Sequence, residues 1–134
     1  MIGRAELERD LVIVACAISA GIHAALTPEH FGEGAGAGVG FLVSAVSLAG
    51  LVVALTHDAG PPALAATILT LAGLLVAYVL AITSGVPVLH PEAEPVEGLA
   101  LGTKAVEVVG LVAAAHLLVE GRSLALIRTE RKLT

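Results

Sequence analysis

The sequence predicts an all-α integral membrane protein, a four-helix bundle with both termini cytoplasmic and a short interfacial helix after the first span. Three observations predict it. Mean hydropathy is +0.95. Only 14% of the 134 residues are charged and 57% are apolar, whereas a soluble domain carries about 25% charge. The apolar residues also lie in four long runs separated by short polar punctuation, rather than in amphipathic stripes. That is the pattern of segments that each cross a hydrocarbon layer of about 30 Å. Four spans of roughly 20 residues take up most of the chain, so residues 1–134 read as one transmembrane domain.

The first span is expected over residues 11–26, LVIVACAISAGIHAAL, with Arg4–Asp10 extending the same helix into the interface. The N-terminal stretch interleaves Arg4 and Arg9 with Glu6, Glu8 and Asp10. It lacks the net positive charge of a signal-peptide n-region, so the first run is expected to be retained as an anchor. Thr27-Pro28 follows; threonine as N-cap with proline at the first helical position is a helix-start signal. It predicts a separate short helix from Pro28 to Gly32, lying at the membrane surface, and then a flexible connector through GEGAGAGVG.

The second span is expected over residues 39–55, ending at the polar turn Thr56-His57-Asp58-Ala59-Gly60-Pro61-Pro62. The third, over residues 63–82, is broken by Thr83-Ser84-Gly85-Val86-Pro87. An extended acidic loop with Glu92, Glu94 and Glu97 leads to the fourth span, over residues 99–121, and to a basic tail from Arg122. Six of the seven basic residues lie in the two terminal segments. By the positive-inside rule both termini face the cytoplasm, loops one and three face outward, and loop two faces inward. The expected location is the cell (inner) membrane, crossed several times.

Small residues recur at helical spacing: Ala17, Gly21 and Ala25 in span one, Gly73, Ala77 and Ala81 in span three, Gly110 and Ala114 in span four. Such faces let helix backbones approach closely in lipid. Cys16, the single cysteine, excludes an internal disulfide and reads as a small buried hydrophobe.

This topology gathers an outward-facing polar set. Loop one and the end of span one supply His23, Glu29, His30 and Glu33. Loop three supplies His90 and three glutamates, and the top of span four supplies Lys104 and Glu107. His23 and Glu107 lie inside or at the edge of the outer leaflet, where ionisable groups face the bundle interior and find partners. Two readings compete. In one, His23 and Glu107 are inner metal ligands with Glu29, His30 and His90 closing over them; imidazole with carboxylate suits zinc, copper or iron. In the other, His23 hydrogen-bonds a carbonyl, Lys104 pairs with Glu107 at i,i+3, and the loop carboxylates are solvated. On the inner side His116 and Glu120, four apart, are expected to interact along one helix face.

Other chemistries lack their motifs. GEGAGAG has no preceding strand and no following Lys-Ser/Thr, so it is no phosphate loop. Ser44 and Ser47 bond back to their helix rather than forming a nucleophile elbow. His23 and His116 lie near opposite ends of the bundle, which disfavours a bis-histidine haem. The basic tail IRTERKLT suits anionic lipid head groups and is too short and mixed for nucleic acid.

Taken together, His23…Pro28-Glu29-His30…Glu33, Thr83-x-Gly85-x-Pro87, Glu94-Pro95-Val96 and Glu107 in the last span resemble a group of small four-span membrane proteins of unassigned function from high-GC bacteria. The resemblance covers most of the chain. It brings no activity, but it points to the residues the topology singles out: His23, Glu29, His30 and Glu107. The functional expectation is an outer-face His/Glu metal site serving metal handling or a membrane redox process. The alternative is a non-catalytic accessory subunit of a larger membrane complex, with a homo-oligomer as a further expectation. Catalysis is not expected.

Overall fold

The computed structural model describes the backbone of residues 3–86 and 92–133, and side chains up to residue 121. It has four helices: α1 (Arg4–Glu33), α2 (Ala35–His57), α3 (Pro61–Thr83) and α4 (Gly98–Leu133). There is no β-strand element among the described residues. Each helix contains a stretch long and apolar enough to cross a membrane; in α4 it covers Gly98–Gly121. The protein is therefore a multi-pass membrane protein. His90 and the side chains of the basic tail lie outside the described residues.

Helix α1 departs from expectation. Its 30 residues run unbroken through Thr27-Pro28 to Glu33, so the separate interfacial helix does not form. Proline removes one backbone donor and crowds the preceding turn, yet this loss is tolerated in membrane helices when hydroxyl side chains supply extra bonds nearby. Thr27 adds such a bond one residue away, donating from Oγ1 to the carbonyl of His23 at 2.7 Å, while the carbonyl that Pro28 leaves without a donor is that of Ala24. Thr27 is thus a helix-interior residue, not an N-cap. The expected flexible connector also shrinks. Only Gly34 separates α1 from α2, its N–H bonded to the His30 carbonyl at 3.0 Å.

That sharp reversal brings α2 back along α1. A Cβ on Gly38 would lie 2.2 Å from the ring of Phe31, so only glycine lets the Phe31 ring close the corner. The second turn is as expected: α2 ends at His57, and Pro61 opens α3 at its first helical position. Helix α3 ends at Thr83, and the N–H of Glu94 donates to the Ala81 carbonyl at 2.9 Å, which holds Glu94 against the end of α3.

The helices form a ring in chain order: α1 packs on α2 and α4, α3 packs on α4, and α2 meets α3 more sparsely. The core contains Val12, Cys16, Leu48, Leu55, Leu64, Leu71, Ala113 and Ala114. Cys16 is buried, as its surroundings predicted. Of the small-residue faces, the one on α4 is used within the chain. Gly110 lies so near α1 that a Cβ there would stand 2.8 Å from that of Ala15. On α1, Ala17, Gly21 and Ala25 are exposed, and on α3 so are Gly73 and Ala77.

Candidate functional site

At about 100° per residue, positions i, i+4, i+8 and i+11 fall on one stripe of a helix. The unbroken α1 therefore aligns Ser19, His23, Thr27 and His30. The first three are buried and His30 is half-buried. Helix α4 presents Thr103 and Glu107 to the same region; Glu107 is 0% exposed, the most deeply buried charged side chain described. Such a carboxylate persists in an apolar bundle only with partners for its oxygens.

Both oxygens are served. Ser19 Oγ donates to Glu107 Oε1 at 2.7 Å, and Lys104 Nζ donates to Oε2 at 2.7 Å. The lysine comes from the preceding turn of α4 and is itself largely buried, its side chain 15% exposed. Its ammonium also stands 5.7 Å from the ring centroid of Tyr78 on α3. The Tyr78 hydroxyl is buried and has no hydrogen-bond partner among the described residues. The i,i+3 pairing expected from sequence is thus present, while the serine that ties it to α1 was not anticipated.

His23 reaches this centre through Ser19 as well. Its Nδ1 donates to the Ser19 carbonyl at 2.8 Å and lies 3.4 Å from the Ser19 hydroxyl. His30 repeats the arrangement about two turns further along the stripe, Nδ1 donating to the Leu26 carbonyl at 2.9 Å. A carbonyl can only accept, so each contact places a proton on Nδ1, and in the neutral imidazole that leaves the lone pair on Nε2. Phe41 of α2 stacks on His30, centroids 3.5 Å apart, and tilts against His23 at 5.2 Å. His30 Nε2 is 3.9 Å from Glu33 Oε2. Glu29 is exposed and off the stripe. The structure therefore brings His23, His30, Lys104 and Glu107 to one end of the bundle and leaves Glu29 outside that cluster.

A second polar cluster occupies the opposite end, where the N-terminus of α1 meets the last turns of the α4 span. His116 stands nine residues from Glu107 on α4, and both side chains reach α1. Its Nδ1 donates to Glu8 Oε2 on α1 at 2.8 Å. Its Nε2 is 3.6 Å from Glu120 Oε1, an ion-pair distance and not a hydrogen bond. Arg4 pairs with Glu8 Oε1 at 2.9 Å and places its terminal nitrogen 3.5 Å from His116 Nε2. Ligand-capable atoms of Glu8, His116 and Glu120 lie within 4.8 Å of one another. They are the group of three or more such residues gathered closely enough among those described. The sequence suggested His116 with Glu120 but not Glu8, which it placed only in the interfacial stretch Arg4–Asp10. The available signal was the topology, because a four-span chain returns the end of its last helix to the level of its first residues.

No family model, curated protein or solved structure matches the chain.

Proposed function

We propose that this membrane protein binds a transition-metal ion at the end of the bundle carrying loops one and three, in support of metal handling or a membrane redox process. That end faces outward and both termini face the cytoplasm, the protein residing in the cell membrane. The observation that carries the reading is the shared state of His23 and His30. They lie on one face of α1, and each spends its Nδ1 proton on a carbonyl of its own helix. A carbonyl bond at one ring nitrogen orients the imidazole and raises the basicity of the other, as around metal-bound histidine. The buried Glu107 adds a carboxylate near His23, tied to it through Ser19 and paired with Lys104. His90 remains a candidate to complete the set from loop three. Nitrogen and oxygen donors of this kind suit zinc, copper or iron.

Metal content of protein purified in detergent after supplementation with zinc, copper or iron tests this. The wild type is expected to carry metal at this end, and His23→Ala, His30→Ala and Glu107→Gln to lose it. Equal metal content in wild type and these variants would sink the proposal.

A second reading, an accessory subunit or homo-oligomer, is favoured by the small-residue faces. A Cβ on Gly21 or Gly73 would meet nothing within 4 Å, so both backbones are open to close approach by another helix. Crosslinking in native membranes through cysteines at Gly21 or Gly73, with Cys16 replaced, would trap a partner or a second copy; no adduct beyond the monomer would refute it.

A further inference from the structure

We propose that Glu8, His116 and Glu120 form a second, separate site for a divalent cation of the zinc type, at the end of the bundle that carries both chain termini. The site shares no residue with the one proposed above. Glu8 precedes His23 by 15 residues, which is about 22 Å along α1 at 1.5 Å per residue.

The donor set is the first argument. One imidazole nitrogen and a carboxylate oxygen from each of two glutamates come from two helices whose packing already holds them together. Their ligand atoms lie within 4.8 Å of one another. Zinc holds nitrogen and oxygen at about 2.0–2.2 Å, so ligands sharing one ion stand roughly 3.3–3.6 Å apart. Rotation of the Glu120 side chain, with Glu8 released from its hydrogen bond to His116 Nδ1, would close that difference. The Glu120 side chain is 46% exposed and that of His116 40%, so neither is locked by packing. His116 and Glu120 are also i,i+4 on α4, a spacing that puts two donors on one helix face. Three protein ligands leave one coordination position open, the arrangement of a site that exchanges its ion or a bound water.

The second argument is what stands there already. The guanidinium of Arg4 lies against the carboxylate of Glu8 and faces His116 Nε2. Arginine only donates, so the guanidinium sets a positive charge against the Glu8 carboxylate and the His116 ring. The Arg4 side chain is 74% exposed and can swing into solvent. A divalent ion would take the place of this guanidinium, with Arg4 acting as a competing internal cation. Without either cation, two carboxylates would face each other across a neutral ring, which like-charge repulsion disfavours.

Titration of the full-length protein in detergent with zinc, and with cobalt as a spectroscopic reporter, tests the site. Wild type is expected to bind an equivalent that His116→Ala and Glu120→Gln weaken by more than about tenfold, since even an indirect partner of a metal ligand contributes that much. The same equivalent is retained in His23→Ala and Glu107→Gln, which separates this proposal from the site at the other end. Arg4→Ala is expected to tighten it, by up to about fivefold for an exposed ion pair removed. Circular dichroism checks that the helices persist, and Glu120→Gln changes only a half-exposed group. No binding by wild type, full affinity in His116→Ala and Glu120→Gln, or weaker binding in Arg4→Ala would overturn the proposal.

Discussion

Replacing Lys104 by methionine keeps the length and apolar stem of the side chain and removes its charge. The consequence follows from the burial of its partner. Glu107 is 0% exposed, and its two hydrogen bonds, from Ser19 and Lys104, are each 2.7 Å long. An exposed i,i+3 ion pair on a helix contributes about 0.2–0.5 kcal/mol. Breaking a buried pair costs about 3–5 kcal/mol, because the surviving charge is left without compensation. The geometry places this pair in the second class, so Lys104→Met is expected to lose about 3–5 kcal/mol. Glu107→Gln in the same chain removes the stranded charge and should recover most of that loss, since a neutral amide still accepts from Ser19. The assay is reversible unfolding in mixed micelles, run as a double-mutant cycle over wild type, both single variants and the double variant. A loss of under about 0.5 kcal/mol for Lys104→Met, or a double variant no more stable than Lys104→Met alone, would refute the idea that α4 carries a buried, mutually dependent pair.

Ser19→Ala removes the one donor that α1 gives to Glu107, and should destabilise by about 1–3 kcal/mol in the same assay; a neutral result would mean the contact carries no net energy. Gly38→Ala places a methyl group where the Phe31 ring sits and should cost about 1–3 kcal/mol through displacement of that ring, whereas Gly40→Ala, where a Cβ meets nothing, should be tolerated. In a variant lacking Cys16, cysteines at Glu33 and Glu94 should react with an impermeant thiol reagent from outside intact cells, and one at Asp58 only after permeabilisation. The reverse pattern would invert the assigned orientation.

Much of the candidate site could be read from the chain because charge is so sparse. A histidine and a glutamate inside apolar runs stand out, and depth along each helix follows from the rise per residue, so His23 and Glu107 were both expected inside or at the edge of the outer leaflet. Their connection was not legible. Serine in an apolar helix usually bonds back to its own backbone, as Ser44 does to the Gly40 carbonyl. Nothing local distinguishes Ser19, whose hydroxyl instead crosses to α4. Thr27-Pro28 misled for a related reason. The same dipeptide serves as a helix start in water and as a tolerated interruption inside a membrane helix, where few other bonds are on offer.

Composition and the spacing of apolar runs by themselves determined that the chain crosses a membrane four times as helices, because unpaired backbone groups are too costly in lipid for another solution. They also determined which side chains would need polar partners there. Only the tertiary structure decided who those partners are. The continuity of α1 past Pro28 puts His30 on the same stripe as His23. The one-residue turn at Gly34 lays Phe41 against both rings, and the packing of α1 on α4 pairs Ser19 with Glu107 and Glu8 with His116. Those pairings join residues 88 and 108 positions apart. They depend on the relative rotation of two packed helices, a quantity that periodicity within either helix leaves open.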